Sequence, residues 1–166
     1  MIPKTCFICD GTDFQDCFER QGDCYYRCLS CSLLISSVSD RSDESHQDLA
    51  AAGRDDKGRK STFRNQLRRF ERHRKLNRLL DVGCGSGGFL QTAKDAGWQV
   101  EGTEVSVPRA EATRKLGIQV HLGDLLKLDL ETGILDGVRL HNVIEHLKDP
   151  LGYLKACHRI IRMNGL

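Results

Sequence analysis

Two sets of residues in this sequence stand at spacings that chemistry uses, and the first lies near the N-terminus. Cys6 and Cys9 are two residues apart, Cys28 and Cys31 repeat that spacing, and 18 residues separate the pairs. A C-x2-C turn aims two thiolates at one spot, and two such turns supply the four sulfurs of a tetrahedral zinc site. The segment around them has little apolar material for a core, so metal binding is expected to supply much of its folding free energy. Four thiolates close the coordination sphere, which makes the expected zinc structural; the plain alternative is four reduced, unligated thiols. Cys17 and Cys24 break the paired spacing and are read as non-ligands. The N-terminus, MIPKTCFICD, has no apolar run of the kind that directs secretion. In a reducing compartment clustered thiols favour metal over disulfides, so the expected location is cytoplasmic.

The second set begins with LLDVGCGSGGFL, residues 79–90, in which an apolar run enters Gly83, Gly85, Gly87 and Gly88 and leaves as a helical pattern. Glycines at such a turn let a ligand approach the backbone, and the helix start offers free N–H groups to its polar atoms. Gly83, Gly85 and Gly88 satisfy G-x-G-x-x-G, the dinucleotide fingerprint. Glu104 follows Gly83 by 21 residues, where a carboxylate can accept both hydroxyls of a ribose. Neither feature decides the ligand, and a nicotinamide cofactor fits both. Asp81 separates the readings, because a carboxylate just before the glycines repels a pyrophosphate but suits an ammonium beside a sulfonium.

With Asp81 in DVGCGSG, the sequence resembles the class I S-adenosylmethionine-dependent methyltransferases, and the resemblance runs through residues 79–166. VEGTEVS matches their second strand with its ribose-binding acid, here Glu104. Gly123-Asp124-Leu125 resembles their adenine-contacting segment, and LDGVRLHNVIEHLKDP their fourth strand and the loop after it. The resemblance implies that Asp81, Gly83, Gly85, Gly87, Glu104, Asp124 and Leu125 hold S-adenosylmethionine, with Asp124 near the adenine amino group. A C-x2-C module ahead of such a core is similar to bacterial methyltransferases with an N-terminal zinc-binding domain. Some related groups methylate sugars or other small metabolites, so a small-molecule acceptor is expected.

His141, Asn142, Glu145 and His146 follow the fourth strand, where the transferred methyl is expected. In-line displacement needs alignment first, and a base only where the nucleophile must lose a proton. His141 is the base candidate, since its ordinary pKa lies near neutrality. Glu145 and His146 resemble a metal-binding pair of some O-methyltransferases, but Asn142 stands where those have an acid; no catalytic metal is expected. The competing role for the pair is to pin the loop by hydrogen bonds. Between Arg54 and Arg78 there are eleven Lys or Arg residues against three acids. A solvated helix, a screen for a phosphate-bearing substrate and a contact with RNA backbone all fit that charge. RNA methylation is therefore the second reading, with 6% aromatic residues and a net charge of +2 against it.

These residues need elements to place them. Residues 1–35 form the cysteine module, and 36–60, rich in Ser, Asp, Gly and charge, read as a polar linker. From Ser61, Phe63, Leu67 and Phe70 recur at helical spacing. Leu79–Val82, Trp98–Thr103, Ile118–His121 and Ile134–Leu140 read as strands, alternating with helices marked by Phe89, Leu90, Ala93 and Ala96, by Ser106, Pro108 and Gly117, and by Pro150 with Leu151, Leu154 and Ile161 on one face. Such alternation predicts an α/β fold with a parallel sheet, a Rossmann-like methyltransferase core of about four strands behind a zinc ribbon. No stretch approaches the ~18 apolar residues that span a bilayer, and no membrane partner is expected. The family's sheet has seven strands; HRIIRMNGL brings Leu166 to the first residue of the fifth, which would leave the fourth as an apolar edge. Two functional classes follow: an enzyme completed in a longer chain or an assembly, and a cofactor-binding module that transfers nothing.

Overall fold

The computed structural model describes residues 3–37 and 56–166, and the chain divides into two compact units, residues 1–45 and 46–166. The first unit is an antiparallel sheet of β1 (Phe14–Arg20), β2 (Asp23–Cys28) and β3 (Leu34–Ser36), in that order. Gln21 and Gly22, both at positive φ, turn β1 into β2 as a two-residue hairpin loop does when its twist matches that of the strands. A register shift between Asp16 and Phe18 leaves Cys17 unpaired in β1. Apart from Phe14, all of β1 is exposed, so no apolar alternation announced it in the sequence. Among the described residues of this unit, the buried apolar ones are Cys6, Tyr26 and Cys28, too few to stabilise a domain by burial alone.

The second unit holds a parallel sheet of β4 (Arg78–Val82), β5 (Gln99–Glu104), β6 (Gln119–Leu122) and β7 (Gly137–Leu140), ordered β6-β5-β4-β7. Among the described residues, four α-helices accompany it: α1 (Asp56–Glu71), α2 (Gly88–Asp95), α3 (Val107–Arg114) and α4 (Pro150–Ile160). β4 is buried on both faces. Leu79 packs with Leu67 and Phe70 of α1 and with Phe89, Leu90 and Ala93 of α2, while Leu80 and Val82 pack with Tyr153, Cys157 and Ile160 of α4. Helices on both sides are why β4 reads as a continuous apolar run. β5 lies on one side of β4 and β7 on the other, so the connections diverge at β4. The crevice outside the carboxyl ends at such a switch point is where open α/β sheets bind ligands.

The structure departs from the sequence reading in four places. Helix α1 starts at Asp56, upstream of Ser61, because the reading began it at the first apolar repeat while the polar residues before it are also helical. The expected linker thus loses residues 56–60 to α1 and Ser36 to β3, and 38–55 lie outside the described residues. α4 buries Tyr153, Cys157 and Ile160, whereas Leu154 is exposed, so the buried face is rotated from the one expected. The fourth strand of this sheet is confined to Gly137–Leu140. Beside it, Leu166 donates to the carbonyl of Asp136 (2.9 Å) and accepts from Val138 N–H (2.8 Å), the place expected for the first residue of a fifth strand. Among the described residues, no helix is long and apolar enough to cross a membrane.

Candidate cofactor site and cysteine cluster

The glycines after β4 serve two different ends. Gly83 and Gly87 both stand at positive φ, and a Cβ there would also meet neighbours, at 2.7 Å from Val143 and 2.8 Å from Thr113. Gly85, at φ +59°, and Gly123, at φ +126° after β6, have no atom within 4 Å of an added Cβ. Both sit at the carboxyl edge of the sheet, and both leave open the space a ligand would take. Hydrogen bonds fix the loop: Gly85 N–H donates to Glu104 (2.9 Å), and Thr113 donates to the Gly85 carbonyl (2.8 Å).

Three acids surround this edge. Glu104, at the end of β5, is 5% exposed and accepts Gly85 N–H on Oε2 and Ser106 N–H on Oε1, both at 2.9 Å. Asp124 caps a 3-10 turn at Leu125–Lys127; its Oδ1 accepts Leu126 N–H (2.8 Å) and the Tyr153 hydroxyl (2.6 Å). Asp81 lies inside the sheet, 1% exposed, with both oxygens on Nη1 of Arg139, its register partner in β7. Burial pushes the Asp81 carboxyl up to about 6, with Arg139 opposing the rise and Glu104 adding to it. The Arg139 guanidinium also stands 4.4 Å from the Phe89 ring centroid and donates to Gln66 of α1. Leu125 is 3% exposed and its side chain joins the α4 cluster, so only its backbone faces the edge.

The loop after β7 carries the remaining candidates. His141, Asn142, Glu145 and His146 are all exposed, with Asn142 at φ 54° and a 3-10 turn at Ile144–His146. Partial burial and then the nearby Arg139 charge lower the His141 pKa, and Glu145 opposes them.

In the first unit, the sulfurs of Cys6, Cys9, Cys28 and Cys31 all lie within 4.8 Å of one another. Cys6 and Cys31 are 3.7 Å apart, and Cys9 and Cys28 are 3.6 Å apart. Sulfurs about 2.3 Å from one tetrahedral zinc are roughly 3.8 Å apart, so the set fits that ion. The two turns match bond for bond. Asp10 N–H reaches the Cys6 carbonyl and Cys6 N–H the Gly11 carbonyl; Ser32 N–H reaches the Cys28 carbonyl and Cys28 N–H the Leu33 carbonyl. Asp10 and Ser32 share positive φ. Among the described residues, Cys17 and Cys24 stand outside this cluster.

A family model described as a methyltransferase domain matches residues 80–166, just over half of the chain. The chain belongs to the class I S-adenosylmethionine-dependent methyltransferase family. It is 34% identical over 94 residues to an uncharacterized 37.1 kDa transposon protein of Streptomyces fradiae, covering 52% of this chain and 27% of that one. It is 30% identical over 95 residues to a ubiquinone biosynthesis O-methyltransferase of Xanthomonas oryzae, covering 53% and 40%. Among solved structures, an S-adenosylmethionine-dependent methyltransferase from Archaeoglobus fulgidus matches with a TM-score of 0.59 at 25% identity, over 67% of this chain and 50% of that one. The chain spans less than half the length of these curated relatives.

Within this family member, Gly83, Gly85, Gly87, Glu104 and Asp124 lie at the carboxyl ends of β4, β5 and β6 or just beyond them, and Asp81 lies inside the sheet on β4. Two residues at that edge escaped the sequence reading. Arg139 had a signal, a charge inside an apolar strand that needs a buried partner. Tyr153 had none, because its role depends on which face α4 buries.

Proposed function

We propose that the second unit binds S-adenosylmethionine at the carboxyl edge of β4, β5 and β6 and directs methyl transfer to a small-molecule acceptor. In the same reading residues 1–35 are a zinc ribbon, with Cys6, Cys9, Cys28 and Cys31 holding a structural zinc. The observation that carries the cofactor assignment is the juxtaposition of Glu104 and Asp124 with the open backbone at Gly85 and Gly123. Carboxylates only accept hydrogen bonds, and the ribose hydroxyls and adenine amino group are donors. S-adenosylmethionine supplies an electrophilic methyl carbon on a positively charged sulfur. Glu104 would take the ribose hydroxyls, Asp124 the adenine amino group, and the Asp81–Arg139 pair would face the amino-acid end. His141, with its pKa lowered, is neutral near pH 7 and can take a proton from an acceptor hydroxyl. The ubiquinone-biosynthesis relative, named as an O-methyltransferase, supports a small acceptor of that kind.

A second reading, methylation of RNA, draws on one observation. From Arg59 to Arg78 nine basic side chains face a single acid, Glu71. The ridge lacks exposed aromatic residues for base stacking, so the small acceptor is favoured.

The test is calorimetric titration of the zinc-loaded chain with S-adenosylhomocysteine, alongside elemental analysis. Close to one zinc per chain and saturable binding that is lost in Glu104→Ala are expected. A folded chain with well under one zinc would remove the metal assignment, and one whose affinity ignores Glu104→Ala would remove the cofactor site.

A further inference from the structure

The Asp124 carboxylate is held from behind by a residue on another element. Tyr153 lies on α4, 7% exposed, and its hydroxyl donates to Asp124 Oδ1 at 2.6 Å. The same oxygen accepts Leu126 N–H at 2.8 Å, and among the described residues no donor reaches Oδ2. Gly123 N–H meanwhile donates to the Glu104 carbonyl at 2.9 Å, tying this turn to the end of β5. Two donors on one oxygen fix the plane of a carboxylate and leave its second oxygen to accept something else. Burial, together with the adjacent Asp124, pushes the Tyr153 phenol well above its ordinary range, so it stays a donor throughout the working pH range.

We propose that Tyr153 is a positioning residue for base selection, orienting Asp124 so that Oδ2 accepts the 6-amino group of an adenine and rejects a 6-oxo purine. This rests on the placement of Asp124 at the adenine. The chemistry of rejection is direct: a carboxylate that meets an amino group gains a charge-assisted bond, and one that meets a carbonyl oxygen faces repulsion. Without the phenol, Leu126 N–H alone holds the carboxylate, which can then rotate away from the orientation that discriminates.

The experiment compares S-adenosylhomocysteine with its 6-oxo analogue, S-inosylhomocysteine, by calorimetry on the full chain and on Tyr153→Phe, Asp124→Asn and the double variant. Tyr153→Phe is expected to weaken the adenosyl ligand about tenfold, as for a lost bond to a charged group. The inosyl ligand should change less than about twofold, so the preference narrows. Asp124→Asn places an amide where the carboxylate was and should narrow or invert the preference, with the double variant no different from Asp124→Asn. A Tyr153→Phe chain that keeps the wild-type preference, even with a lowered melting temperature, would make the tyrosine merely structural and overturn the proposal. If Asp124→Asn also leaves the preference intact, or the folded wild type binds neither ligand, the placement of Asp124 fails and the proposal falls with it.

Discussion

Asp81 and Asp136 lie in the same unit, 1% and 0% exposed, and each faces one arginine, yet their carboxyls are held in opposite ways. Asp136, which precedes β7, accepts Nε of Arg162 and the backbone N–H groups of Lys75 (3.0 Å) and Asn77 (2.6 Å). Arg162 is itself engaged by the carbonyls of His73 and Met163. Burial disfavours the charge at Asp136 too, but Arg162 and the N–H groups of Lys75, Leu76 and Asn77 outweigh it and hold the pKa down at about 2. Asp81, beside the glycine loop, takes both of its bonds from a single Arg139 nitrogen, and burial wins, leaving the carboxyl near 6. A heavier burial cost at Asp81 and the backbone donors at Asp136 together make the difference. Asp136 is a clasp that joins the segment before β4 to the turn after α4, whereas Asp81 is kept short of donors where a cationic ligand could supply more. Perturbed carboxyls of that kind gather at functional sites.

The largest test of this contrast is Asp136→Ala. It removes the acceptor of Arg162 Nε and of the Lys75 and Asn77 N–H groups, and should cost about 3–5 kcal/mol, read as a lowered urea midpoint. Asp81→Asn keeps an acceptor for Arg139 and removes a carboxylate whose charge burial disfavours, so the urea midpoint at pH 7 should be unchanged or raised, while S-adenosylhomocysteine binding weakens about tenfold. Equal stability losses in the two variants would dissolve the distinction. The pH profile tests the same contrast. Because the folded-state pKa of Asp81 is raised from 3.8 to about 6, its contribution is fully present below pH 3.8 and is lost as pH rises through 6. Asp136 works the other way, its contribution present above pH 3.8 and lost as pH falls towards about 2. Stability measured in urea from pH 3.5 to 7 should therefore contain a falling component that Asp81→Asn removes. A wild-type curve superimposable on that of Asp81→Asn would show that folding leaves the Asp81 carboxyl unshifted, and a curve that rises instead would show it satisfied as Asp136 is.

What could be read from the sequence was local. The C-x2-C pairs state their own geometry, and the two turns form the same hydrogen bonds because a four-residue knuckle needs no distant support. The glycine loop and the acids behind it were legible for a related reason: a strand, a turn and a helix start place Gly85 and Glu104 at one edge whenever the strands are parallel. β1 was not legible, since a nearly all-exposed strand carries no alternation. The buried face of α4 was misjudged because Leu151 and Leu154 are as apolar as the residues it buries, and only the sheet beneath decides between them.

By itself, the sequence determined the cysteine set, the fold class and the family, because each is written in residue types at short spacing or in the order of elements. Tertiary structure alone decided which partners those residues meet. Arg139 reaches Asp81 across 58 residues because β7 pairs with β4 in that register, and Tyr153 reaches Asp124 because α4 packs with that face inward. Strand register and helix rotation are set by burial summed over the whole unit, and no local spacing records that sum.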